Sequence, residues 1–191
     1  MKKLALLIVA VMVLANNVAW ADEVSEARWD LAKKGTGFAA GLASGFLFHE
    51  AGHEVVARAE NVNMSWSGDR WTVRTSGGSL RNIAWAGFGA QVISTEVILG
   101  FDKIPKDNAY VLGWLAFNIL NSFTYPLRNE LQNGYGDLET LRRTGVDTGY
   151  VEIGMVVYGL LTAYRIYHNP KFIPYIRATK EEVALGIGWR F

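Results

Sequence analysis

Apolar residues fall into four long blocks, 37–57, 82–100, 109–127 and 150–167, with most of the charges between them. Each block approaches the roughly 20 residues that a helix needs to cross a bilayer. Glycine and alanine recur inside the blocks, which favours close helix packing in a membrane over the core of a soluble bundle. The polar members Gln91, Ser94, Glu96, Asn118, Asn121 and Glu152 then have to face a protein interior or a wet cavity, because polar groups in hydrocarbon are costly. The expected fold is mainly α: a multi-pass helical membrane bundle of about four spanning helices.

The segments outside the blocks have different patterns. Residues 1–21 have the three parts of a secretory signal peptide: Lys2 and Lys3, an apolar run, and an A-x-A site at Ala19-Trp20-Ala21. That predicts export by cleavage after Ala21 and a place in a bacterial-type envelope, in the inner membrane. Residues 22–36 read as an amphipathic lead-in helix that Gly35 and Gly37 break. Between the first two blocks, Val62-Asn63-Met64-Ser65-Trp66 and Trp71-Thr72-Val73 alternate around the turn signal Ser67-Gly68-Asp69, which predicts a small β-hairpin. The membrane-embedded core is therefore expected to cover 37–167. The tail, 168–191, alternates from Val183 to Phe191 and is expected to supply one strand, packed on the body or paired with the hairpin.

Composition narrows the chemistry. The 191 residues suit one domain or one bundle, and the net charge of +1 without a basic stripe excludes an electrostatic nucleic-acid binder. The apolar blocks make membrane lipid the expected partner instead. Cysteine is absent, so any metal must be held by His, Asp or Glu.

The first block supplies two such ligands. His49-Glu50-Ala51-Gly52-His53 matches H-E-x-x-H. On a helix, i and i+4 lie on one face a turn apart, so both imidazoles reach one ion. Glu50, beside the first ligand, is placed to act as general base on a water held there. Gly37, Gly41 and Gly45 precede the histidines at the same i+4 spacing, a small-residue stripe that drifts about 40° per step. The expected ion is Zn²⁺. Catalytic zinc takes three protein ligands and leaves a fourth position open. Asp137 is the expected third ligand, where a helix restarts after the glycine-flanked break at Gly134-Tyr135-Gly136, with Glu130, Glu139 and Glu96 as alternatives. Asn118 and Asn121, one turn apart, are candidates to bind a substrate backbone or its carbonyl; equally, they tie helices together.

The run from His49 to Arg58, HEAGHEVVAR, resembles the H-E-x-G-H-x-x-x-A-R stretch of site-2-protease-type intramembrane zinc metalloproteases. The short β segment and then Ile83-Ala84-Trp85-Ala86-Gly87 are similar to that family's order of elements. Asn121, Pro126 and Asp137 follow in the order of its later Asn/Pro turn and zinc-binding aspartate. The resemblance covers roughly residues 37–143 and implies zinc-dependent peptide-bond hydrolysis within or next to the membrane, with a peptide or transmembrane-segment substrate as the expected partner. Two departures stand out: Gly136-Asp137-Leu138 replaces the usual Leu-Asp-Gly, and Glu54 occupies a generally apolar position. Two rival expectations are a non-enzymatic membrane protein with a structural or binding metal site, and a soluble-type zincin using Glu96 or Glu130.

Overall fold

The four apolar blocks form the four long helices of the protein. The computed structural model describes residues 26–66, 71–131, 136–168, 172–178 and 183–189, the last two stretches as backbone. The signal peptide expected at 1–21 lies outside them. In chain order the elements are α1 (Glu26–Ala59), β1 (Met64–Trp66), β2 (Trp71–Val73), α2 (Gly77–Gly100), α3 (Ala109–Leu131), α4 (Asp137–Arg143), α5 (Thr148–His168), β3 (Phe172–Ala178) and β4 (Val183–Trp189). The protein is mainly helical with small antiparallel β elements.

α1 corrects one expectation. Gly35 and Gly37 do not break it; the lead-in and the first block form one 34-residue helix. A glycine inside a helix costs up to about 1 kcal/mol relative to alanine; Gly35 has open space around it, and it is at Gly41 and Gly45 that packing on α3 supports the helix. A Cβ at Gly41 would collide with the Tyr110 carbonyl oxygen, one at Gly113 with the Phe38 carbonyl, and one at Gly45 would lie 2.9 Å from the Phe117 ring. The stripe thus lets α1 and α3 meet backbone to backbone. About two turns beyond Gly45, Gly52 faces α2, where a Cβ would come within 2.6 Å of the Ala86 carbonyl oxygen. His49 and His53 are therefore carried on the stretch of α1 that α3 and α2 approach most closely.

The exit from α1 is fixed locally. Asn61 adopts a left-handed conformation, φ 57°, and the Val62 N–H donates to the Ala57 carbonyl while the Asn61 N–H donates to that of Arg58. This pairing satisfies the last helical carbonyls and turns the chain. The Glu60 carboxylate then accepts from Ser79 Oγ at 2.8 Å and Asn82 Nδ2 at 2.7 Å, tying the end of α1 to the first turns of α2. Between these helices β1 and β2 pair antiparallel in the register Met64↔Val73, Ser65↔Thr72, Trp66↔Trp71, the hairpin that the alternation predicts.

The tail departs from expectation. β4 pairs neither with the hairpin nor as a lone strand on the body but with β3, from Phe172↔Trp189 to Ala178↔Val183. Pro174 obscures β3 in the sequence, since proline lacks a ladder donor; both strands of a two-stranded ribbon are edges, where proline is tolerated.

The interior is polar between some helices and apolar between others. Asn118 of α3 donates to Thr95 Oγ1 at 2.7 Å and to Ser94 Oγ at 3.2 Å, while Gln91 Nε2 donates to the Asn118 carbonyl at 2.7 Å. Farther along α2, the Glu96 carboxylate accepts from Arg165 Nη1 and the Tyr158 hydroxyl of α5, at 2.7 and 2.8 Å. Ala84 and Phe88 of α2 instead form an apolar core with Leu138 and Leu141 of α4. Leu47, Val55, Ile93, Leu120, Ile153 and Leu160, from all four long helices, point outward and are exposed. Of the four helices expected to span a membrane, α2 is the one among the described residues that is long and apolar enough by length and composition. α1 carries Lys, His and Glu, and α3 and α5 carry several amides, hydroxyls and charges.

Candidate metal centre

The i+4 spacing on α1 places both imidazoles on one face. Their Nε2 atoms are 3.3 Å apart, and the side chains are buried, with His49 2% and His53 6% exposed. His53 Nδ1–H donates to the Ile83 carbonyl at 2.7 Å, because a carbonyl only accepts; this leaves the Nε2 lone pair facing inward. The Ile83 carbonyl lies in the second turn of α2, whose position the Glu60 contacts set.

α4 brings the third donor. Asp137 opens this helix, and the packing of Leu138 and Leu141 on Ala84 and Phe88 seats it against α2. Asp137 Oδ2 stands 3.3 Å from His49 Nε2 and 3.4 Å from His53 Nε2. The three atoms form a nearly equilateral triangle. Donors arranged tetrahedrally about 2.0–2.1 Å from a zinc ion stand about 3.3–3.4 Å from one another. Two imidazole nitrogens and one carboxylate oxygen therefore fit Zn²⁺ in spacing and in chemistry, with one coordination position left for a water or substrate oxygen. Burial alone would raise the Asp137 carboxyl, but the charge of a protonated His53 and hydrogen bonds from His49 and His53 outweigh it and hold the group well below the usual carboxylate range. The ligand is thus ionised, as metal binding requires.

Glu50 is half-buried and offers a carboxylate oxygen within 4.8 Å of ring nitrogens of both histidines. It is close enough to share a water with a bound ion.

The alternative ligands lie elsewhere. Glu96 is engaged by Arg165 and Tyr158. Glu139, about half a turn from Asp137 and so on the opposite side of α4, is buried against Arg142 and Arg143 at 2.9 and 2.8 Å. Of Glu130 the structure describes the backbone only. Asn118 and Asn121 are likewise committed: the Asn118 amide donates to α2, and Asn121 Nδ2 donates to Gln91 Oε1 at 2.8 Å. These contacts tie α3 to α2, the second of the two roles that the sequence offers for the pair.

Three further groups form the site, and the sequence gives little sign of them. The Tyr125 hydroxyl of α3 donates to Asp137 Oδ2 at 2.9 Å, across twelve residues of chain. The Ile83 carbonyl is a backbone group and so leaves no residue-type signal. Gly87 touches both histidines: a Cβ there would collide with His53 Nε2 and stand 2.6 Å from His49 Nε2. The volume it leaves open is the one toward which the donors point.

Comparison with protein-family models, curated proteins and solved structures gave no match.

Proposed function

We propose that the protein is a zinc-dependent peptidase acting within or next to a membrane, with His49, His53 and Asp137 as ligands and Glu50 as general base. The observation that carries this reading is the triangle of Nε2, Nε2 and Oδ2 atoms at 3.3–3.4 Å, assembled from two separate helices beside a carboxylate. Zinc, when bound there, supplies Lewis acidity and lowers the pKa of a coordinated water toward about 7. Glu50 then accepts the proton of the attacking water on a carboxylate oxygen and returns it to the amine that leaves from the scissile bond. The buried setting of the histidines excludes bulk water and strengthens each of these interactions. A substrate segment that is helical has to unwind first, since its carbonyls are otherwise paired within the helix.

The membrane setting is part of the proposal. Large apolar side chains are exposed on all four long helices, while amides, hydroxyls and an ion pair lie between them. That inside-out distribution suits a multi-pass bundle in lipid, in the inner membrane of a bacterial envelope.

Zinc content and peptide cleavage in detergent test the reading. Wild type should hold about one zinc per chain, in line with a single three-ligand site. Glu50→Gln should keep the metal and lose cleavage by at least about 100-fold, the scale of a general base. Asp137→Ala should lose the metal. Full cleavage by Glu50→Gln would refute the mechanism. The low exposure of both histidines favours a second reading, a metal site kept for structure or binding; zinc retained without any cleavage by wild type would select it.

A further inference from the structure

His53 is oriented by the Ile83 carbonyl, whereas His49 Nδ1 is buried and finds no hydrogen-bond partner among the described residues. Metal-bound histidines usually donate their second nitrogen to a neighbour, which fixes the ring. His49 is held instead by rings: Phe88, Tyr125 and Phe117 have centroids 5.9, 6.0 and 6.3 Å from its own. Asp137 has the opposite difficulty. It arrives on a seven-residue helix, and its carboxylate must be turned so that one chosen oxygen faces both imidazoles.

Tyr125 meets both needs. Its hydroxyl donates to Oδ2, the same oxygen that faces the two Nε2 atoms, and so occupies one lone pair while the other points to the triangle. Its ring lies against His49 and, edge-on at 5.1 Å, against Phe88 of the core that seats α4. We propose that Tyr125 is the positioning residue of the metal site, its hydroxyl orienting the Asp137 carboxylate and its ring orienting the His49 imidazole. This inference rests on the metal-site reading above. It adds a residue from α3 to a site otherwise built from α1, α2 and α4.

The test is Zn²⁺ affinity, measured by chelator competition on the full chain in detergent, together with the visible spectrum of the Co²⁺-loaded protein. Tyr125→Phe keeps the ring and removes the hydroxyl; it should bind zinc about 10- to 100-fold more weakly, as losses of such supporting contacts do. Its cobalt bands, which report ligand geometry, should shift. Tyr125→Met also frees His49 and should bind more weakly still. Tyr158→Phe, a hydroxyl lost from the Glu96 pair away from the site, should leave affinity and spectrum unchanged. Wild-type affinity and spectrum in both Tyr125 variants would overturn the inference and leave the metal site standing. No metal bound by wild type would overturn the site and the inference with it. Should Tyr125→Phe fail to fold, Tyr125→Met decides by the same readout.

Discussion

A single methyl group at position 87 would fill the space beside both imidazoles of the candidate metal site. Both histidines point their Nε2 atoms at the space beside Gly87, and a side chain there would meet them before any ion did. Gly87→Ala should therefore abolish zinc binding while the helices persist, which metal analysis and far-ultraviolet circular dichroism on the same sample would check. Zinc retained at wild-type affinity would mean that the ion sits elsewhere. The pair His49 and His53 was legible at this scale because i+4 spacing is a property of any helix. Gly87 was not, since a glycine in an apolar block reads as packing until a neighbour is known.

Among the elements, the sequence blocks correspond closely to helices, and the errors have physical causes. Gly35 and Gly37 look like breakers because propensity is a local quantity; the packing of α3 on Gly41 and Gly45, farther along the same helix, is not local. Pro126 lies inside α3, and α3 continues past it. Asn118 and Asn121 have the spacing of a substrate-binding pair, yet their amides are taken up by Gln91, Ser94 and Thr95. Asn118→Ala leaves those buried hydroxyls without their donor, at a cost of about 1–3 kcal/mol. Thermal unfolding in detergent should show that loss, and zinc content should stay unchanged. A normal melting temperature with impaired cleavage would restore the substrate-binding role.

For the whole molecule, the question is what solvent surrounds the bundle. α2 alone among the described residues is long and apolar enough to span by itself, but a bundle shields the polar members of its other helices from lipid. The Glu96–Arg165 pair is such a case, with Arg165 buried and its guanidinium bonded to both carboxylate oxygens. The protein should stay with the membrane pellet after an alkaline carbonate wash and leave it in detergent. Release by carbonate would show that the four blocks are core helices of a peripheral or soluble protein, and the zinc-site predictions would still stand by themselves.

The sequence alone determined the helical class, the four blocks, the hairpin at 62–73 and the H-E-x-x-H pair, because each depends on periodicity or spacing within one segment. It also placed Asp137 at the start of a helix, from the glycine-flanked break before it. Only the tertiary structure paired Glu96 and Glu139 with arginines and set Asp137 Oδ2 against both imidazoles. It alone brought in Tyr125, the Ile83 carbonyl and the space beside Gly87. Those contacts join residues that lie far apart along the chain, and their partners are fixed by how α1, α2, α3 and α4 pack, which no local pattern encodes.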